Sequence, residues 1–235
     1  MSTALAVRDD QDAWDDKQLA VLSSIGLAEV PPGELAMFLD VCQRTRLNPF
    51  ARQVYLIPRW NSELKRAVWT PQVSIDGLRL IARRACDQAG EQLRYDPFAW
   101  CGDDGAWVDV WLSDRAPSAA RVVLYRAGQR FDGIATWREY APRNQKGELL
   151  AMWRKMGAHQ LAKCAEALAL RRACPQELAS VYAEEELAQA GVYQPGADPI
   201  VRRRGKIERI WPEQSGPAGP DDEWADQPPD QEEEA

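Results

Sequence analysis

The sequence predicts an α+β domain in which a small antiparallel sheet and a separate hairpin are packed by helices, followed by a disordered acidic C-terminal tail. Three features carry that reading. Apolar residues recur at helical spacing up to about residue 46, alternate from residue 53, and return to helical spacing from residue 73. Between residues 93 and 137, four short β-branched or aromatic runs are separated by turn signals. From Gly191 onward, Gly, Pro and charged residues dominate, a composition that cannot bury enough apolar surface to order itself.

The elements follow in order. Lys17–Ile25 reads as a short amphipathic helix. Gly33–Arg46 is a stronger one, with Pro31-Pro32 at its start and Leu35, Phe38, Leu39 and Cys42 on one stripe. Gln53–Ile57 and Ala67–Trp69 flank Asn61-Ser62-Glu63-Leu64-Lys65, two strands around a hairpin loop. Residues 73–86 return to helix, with Val73, Leu78, Leu80 and Ile81 beside Arg79, Arg83 and Arg84. Leu93–Trp100, Trp107–Leu112, Ala120–Tyr125 and Phe131–Trp137 suggest an antiparallel meander. Residues 148–173 form the longest helical stretch, stopped by Pro175, and Pro175–Ala190 makes a last helix. Three regions result: an acidic segment with a short helix over 1–32, a core domain over 33–190, and a linker and tail over 191–235.

The 235 residues carry a formal charge of −7 from 29 Lys and Arg against 36 Asp and Glu. That charge is segregated. Residues 1–40 sum to −6, residues 41–182 to +8 and residues 183–235 to −9. Local field, not net charge, attracts a polyanion, so the basic body is the part to explain.

Several chemistries fall away. No apolar run approaches the roughly 18–20 residues of a membrane span. Asp9, Asp10 and Asp12 do not suit a signal peptide. The five cysteines lack C-x-x-C spacing, and His159 is the sole histidine, so a disulfide framework, a zinc site or a His-based triad is not expected. A reducing cytoplasm is the expected compartment. Gly205-Lys206 is followed by Ile207 and lacks the upstream loop glycine of a phosphate-binding loop, which argues against an ATP-driven motor. No G-x-S-x-G or H-E-x-x-H occurs, and no cofactor is implied. Glu63-Leu64-Lys65 resembles half of a metal-dependent nuclease site, so a nuclease using Glu63 and Lys65 stands as the alternative; a solvated hairpin tip explains the same residues.

The positive signal is cations set among aromatics. Single-strand binders use cations to follow phosphates and flat side chains to stack on bases. Residues 50–69 alternate the two types: Phe50, Arg52, Tyr55, Arg59, Trp60, Lys65, Arg66 and Trp69. Ordinary strand packing with a solvated basic face is the competing explanation. On the long helix, Met152, Trp153, Met156, Leu161, Cys164 and Leu168 define an apolar arc, with Arg154, Lys155 and Glu166 outside it as surface charges. Gln160, Lys163 and Arg171 fall inside the arc, where a charge is costly unless paired or bound to a polar ligand. Either phosphate contact or a buried ion pair with Glu139 or Asp76 accounts for them.

These segments resemble the Bet/RecT family of phage single-strand annealing proteins. Leu47-Asn48-Pro49-Phe50-Ala51-Arg52-Gln53-Val54-Tyr55 is similar to that family's opening motif, and Gln72-Val73-Ser74-Ile75-Asp76-Gly77-Leu78-Arg79 to its next block. Ala135–Tyr140, Trp153-Arg154-Lys155-Met156 and Lys163–Pro175 follow in the right order, and the resemblance spans about residues 35–188, closing on Tyr182-Ala183-Glu184-Glu185-Glu186. Gly157 stands where relatives usually have proline, and Cys174 where they usually have phenylalanine.

The resemblance implies an annealing core related in shape to the Rad52 fold, working without ATP and not as an enzyme. It implies a homo-oligomeric ring or helical filament that coats single-stranded DNA and holds an annealed duplex intermediate. A phage exonuclease and the host single-strand-binding protein are the implied partners, in the cytoplasm of a bacterial host and with no membrane. The DNA-contact candidates are Arg52, Lys65, Arg66, Arg79, Arg83, Lys155, Lys163, Arg171 and Arg172, with Gln72 and Trp69 beside them. Arg79 and Arg83 lie four apart, so both suit one strand or a solvated helix face. A passive single-strand coat is a further alternative; it would bind without speeding pairing.

The tail from Asp221 to Glu234 has no base, and Trp224 is its large anchor. Such a segment suits competition with DNA for a basic groove, partner docking through Trp224, or solubilisation. Competition predicts that a chain ending at Pro212, which keeps Arg202, Arg203, Arg204, Lys206 and Arg209, binds single strands more tightly at low salt. The gain should shrink as added salt screens the tail. Fluorescence anisotropy across a salt series checks this, and equal affinities throughout would refute competition.

Overall fold

The computed structural model describes residues 5–61, 64–144, 146–179, 181, 202–203 and 206–207. The chain divides into two units, Met1–Asp198 and Pro199–Ala235. In the second, β8 (Arg202–Arg203) and β9 (Lys206–Ile207) form a short antiparallel pair. The acidic tail lies outside the described residues.

The first unit opens with α1 (Asp16–Leu22), started by a reciprocal capping box between Asp15 and Gln18. The chain then makes one π-helical turn, Ser23–Leu27, where Ile25 and Gly26 leave helical geometry and Gly26 takes φ 94°. The expected helix over Lys17–Ile25 therefore ends early, at a glycine that supplies the left-handed turn. Trp14 is buried, and its indole donates to the Leu35 carbonyl at 2.9 Å, fixing this segment to α2 (Pro32–Thr45). Phe38, Leu39, Val41 and Cys42 form the buried stripe of α2.

β1 (Val54–Asn61) and β2 (Arg66–Val73) make an antiparallel ribbon from Val54↔Val73 to Asn61↔Arg66. Both strands exceed their sequence expectation because two prolines are accommodated inside them. The Trp69 N–H points out of the ribbon to Glu34 Oε2 at 2.8 Å, so the opposite residue, Pro58, also faces outward, where no ladder donor is required. Pro71 has the same parity. Val54, Leu56 and Val73 bury the base of the ribbon in the core.

Ser74 caps α3 (Ile75–Ala89) by accepting from the Gly77 N–H. At Gly77 a Cβ would lie 2.3 Å from the Gln53 carbonyl oxygen, so glycine is what lets α3 sit against the start of the ribbon. The main sheet contains β3 (Leu93–Tyr95), β4 (Ala99–Cys101), β5 (Trp107–Val108), β6 (Ala119–Arg126) and β7 (Gln129–Thr136). The connectivity is not the expected meander. β3 and β4 lie one after the other along one edge of β6, β5 pairs with β4, and β7 takes the other edge of β6. The run Leu93–Trp100 splits in two because Pro97 cannot donate to a ladder. The run Trp107–Leu112 pairs only over Trp107–Val108, and Val110 and Leu112 are exposed.

After the single turn α4 (Trp137–Tyr140), α5 (Ala151–Ala173) crosses the face of β6 and β7. It breaks at Met156, and a Cβ at the following Gly157 would lie 2.5 Å from the Trp137 ring. Trp137 fills the volume that a larger residue at this departure from the family pattern would need. Pro175 starts α6 (Pro175–Leu178), and most of the remaining stretch expected to be helical as far as Ala190 cannot be compared. Residues 180 and 182–190 lie outside the described residues. Among the described residues no helix is long and apolar enough to cross a membrane.

The seating of α5 rests on Gly133 of β7, where a Cβ would lie 1.9 Å from the Ala165 carbonyl oxygen and 2.6 Å from the Ala169 nitrogen. Both neighbours are backbone and cannot swing aside. Gly133→Ala is expected to destabilise the domain by about 3 kcal/mol, measured as a lower urea midpoint with an unchanged slope.

Candidate nucleic-acid interface

α3, β3 and α5 enclose an open groove of about 510 Å³. Arg79 and Arg83 come from successive turns of α3, Tyr95 from β3, Phe98 from the segment before β4, and Glu166 from α5. The two rings sit 6.4 Å apart, and with Leu80 and Leu93 they give the groove an apolar lining under its cations.

Glu166 organises this site. It is 1% exposed, and its two oxygens accept from Arg79 Nε at 2.8 Å and Nη2 at 2.6 Å. Asp76 accepts from Arg79 Nη1 at 2.8 Å. The hydrogen bonding to Glu166 leads the effects that raise the guanidinium pKa above its already high value, so Arg79 is a fixed positive charge. The sequence reading placed Glu166 among surface charges. The correction comes from α3, which covers a side of α5 that an apolar arc defined by the sheet alone leaves outside.

Lys163 is half-buried and makes no hydrogen bond or ion pair among the described residues. One turn earlier, His159 has its pKa lowered, first by burial and then by the charges of Lys163 and Arg79, with Glu166 opposing. These groups therefore share one field. Burial, followed by the Glu166 charge, pushes the Tyr95 phenol above its ordinary range. Arg83 is exposed, with a long 3.5 Å contact to the Leu93 carbonyl.

The remaining candidates lie elsewhere. Arg52 and Lys65 are exposed at left-handed positions, φ 57° and 50°, at the two ends of β1 and its turn. Arg66 donates to Glu34 at 2.8 Å while half its side chain stays exposed. Trp69 is half-buried against the core, and Gln72 is buried, accepting from Arg59 Nη2 at 2.5 Å. Lys155 is exposed just before the break in α5. Arg171 donates to the carbonyls of Leu178 and Val181, and Arg172 to that of Asp132. Neither carboxylate suggested as an ion-pair partner reaches Lys163 or Arg171, since Asp76 binds Arg79 and Glu139 accepts from the Thr136 hydroxyl. Glu63 lies outside the described residues.

Sequence reasoning missed Tyr95, Phe98 and Glu166. An aromatic pair around Pro97 was the available signal, but only the pairing of β3 with β6 brings it beside α3. His159 offers a test. Its lowered pKa means the folded chain holds this proton less tightly than the unfolded chain. Stability from the neutral ring is present above the ordinary value near 6.5 and is lost as pH falls through it toward the folded value. If a DNA phosphate binds beside His159 it would offset that cost, so single-strand affinity should then rise on going from about pH 7.5 to 5.5, and His159→Gln should flatten the profile. Anisotropy titrations at constant ionic strength check this.

No curated protein matches the chain. The family model described as RecT family matches residues 12–95 and 103–198, which take in the ribbon, α3, β3, β6, β7 and α5. On the strength of that match, the chain belongs to the RecT family, the single-strand annealing proteins of phage recombination.

Proposed function

We propose that the chain anneals complementary single strands without ATP and acts as a homo-oligomeric ring or filament. One observation carries the reading: a groove that brings the cations Arg79 and Arg83 together with the rings of Tyr95 and Phe98, with Lys163 on α5 acting with Arg79 on the same histidine. Phosphates follow the cations while stacking on an aromatic contributes about 1–3 kcal/mol per base. Specificity then comes from base pairing, and the protein contributes alignment of two strands that would otherwise meet at random.

Within that reading the cations divide. Arg83 and Lys163 contact phosphate directly. Arg79, held by two carboxylates, fixes the groove's field and presents its remaining N–H groups. Arg171 and Arg172, engaged with main-chain carbonyls, hold the end of α5 in place. Arg52, Lys65, Arg66 and Lys155 extend the path beyond the groove and toward a neighbouring subunit. Gln72 and Trp69 support the ribbon, and their contribution to binding is indirect. A phage exonuclease supplies the single strands, the host single-strand-binding protein is the second partner, and the site of action is the bacterial cytoplasm. The domain limits remain 33–190 for the annealing core and 191–235 for the tail.

Stopped-flow annealing of two complementary oligonucleotides, without nucleotide and with Mg²⁺ present, tests the function. Faster duplex formation with intact strands is expected; binding without acceleration would mean a passive coat, and shortened products a nuclease. Lys163→Ala should lower the log–log salt slope of single-strand binding by about 0.7 with the melting temperature retained. Arg171→Ala should instead lower the melting temperature and keep the parental slope.

A further inference from the structure

The outer half of the β1–β2 ribbon leaves the core. Beyond Pro58 and Pro71, Trp60 and Leu64 are exposed, and two paired strands alone are marginal in water. One carboxylate from the start of α2 reaches this half. Glu34 Oε2 accepts from the Trp69 N–H and Oε1 from Arg66 Nη1, both at 2.8 Å. The Arg66 side chain stays half exposed. Its Nη1 also donates to the Ala67 carbonyl at 3.0 Å, while its Nε and Nη2 make no hydrogen bond among the described residues.

The two bonds of Glu34 differ in what can replace them. The Trp69 N–H is partly buried, so loss of its acceptor is costly. The ion pair is open on its cationic side, where such a pair contributes little, and a phosphate offers a guanidinium fork the same geometry as a carboxylate. Glu34 also stays supported when Arg66 leaves. It keeps the Trp69 N–H and lies in the first turn of α2, at the positive end of the helix dipole. Glu166 differs on both counts: it is 1% exposed, and Arg79 takes both its oxygens. We propose that Glu34 is a positioning residue for strand binding, which fixes the ribbon through Trp69 and withholds Arg66 until a DNA phosphate replaces the carboxylate on that guanidinium. The assignment rests on the reading that single strands pass along Arg66. The exchange has a definite ion balance. A phosphate neutralised by Arg66 releases counterions, but the uncovered Glu34 draws a cation back, so in the parent the two nearly cancel.

Anisotropy titrations of an oligothymidylate across a salt series compare the full-length parent with Glu34→Gln, Arg66→Ala, both together, and Glu29→Gln. Glutamine can still accept from Trp69 but carries no charge, so Glu34→Gln should keep the parental melting temperature. Its affinity at low salt should rise about threefold and its log–log slope should steepen by about 0.7. Arg66→Ala should shift the parental slope by well under that amount, yet on the Glu34→Gln background it should remove the whole gain. Glu29 is exposed and has no ion pair among the described residues. Glu29→Gln therefore removes the same charge without releasing a cation, and its slope should match the parent's. An unchanged slope in Glu34→Gln would overturn the proposal, as would a gain that survives Arg66→Ala or one that Glu29→Gln reproduces. Joint loss of melting temperature and affinity in Glu34→Gln would also overturn it, leaving Glu34 a structural link. Arg66→Ala without effect on either background, with binding intact, would overturn this assignment alone; failure of the parent to bind would instead remove the function beneath it.

Discussion

The approach of α5 to β7 at Gly133 is the constraint on which the groove depends. With no side chain there, the helix backbone comes within contact of the strand, and Ala165 and Ala169 complete the small-residue seam. That seating fixes the rotation of α5 about its axis. Glu166 then points away from the sheet toward α3, and its carboxylate binds Arg79 through two parallel hydrogen bonds. A carboxylate so deeply buried is tolerated only with such a partner, because desolvation of an unpaired charge costs several kcal/mol. α3 and α5 are therefore locked in the spacing that leaves a groove between them.

The basic excess of the body overstates the charge available to a polyanion. Arg66 is paired with Glu34, Arg79 with Glu166 and Asp76, and Arg126 with Glu91 and Glu177. Arg171 and Arg172 donate to carbonyls at the end of α5 and in β7. These arginines join elements that the hydrophobic core alone would leave free to slide. Beside the groove, Arg83 keeps only a long contact to the Leu93 carbonyl, and Lys163 makes no hydrogen bond or ion pair among the described residues.

Cysteine chemistry takes no part in this arrangement. All five cysteines are buried, and burial raises the thiol pKa of Cys174 to about 11 and those of Cys42, Cys86 and Cys101 above their ordinary value as well. Thiols kept protonated in the core are poor nucleophiles. Cys174, where relatives usually have phenylalanine, caps α5 by donating its backbone N–H to the Leu170 carbonyl and packs with zero exposure.

Local pattern determined the elements. The stripe of α2, the ribbon around residues 61–65, the long helix ended by Pro175 and the family blocks were all legible, because each depends on neighbours within one turn, one strand or one motif. The extent of the ribbon, the break at Pro97 and the shortened β5 were not, since pairing partners lie tens of residues away and decide how far a strand runs. The site divides in the same way. Lys163 stood out as a cation on an apolar helical arc, and Arg79 and Arg83 as two cations on one helical face. Glu166 looked like surface and is core, and Arg171, which suited either phosphate or an ion pair, donates to main-chain carbonyls. A helical wheel records where a side chain points but not what arrives on that side. For this protein the sequence by itself determined the elements, the family and the supply of cations. Only the tertiary structure decided which cations face an open groove, because that depends on which buried carboxylates and carbonyls reach the others first.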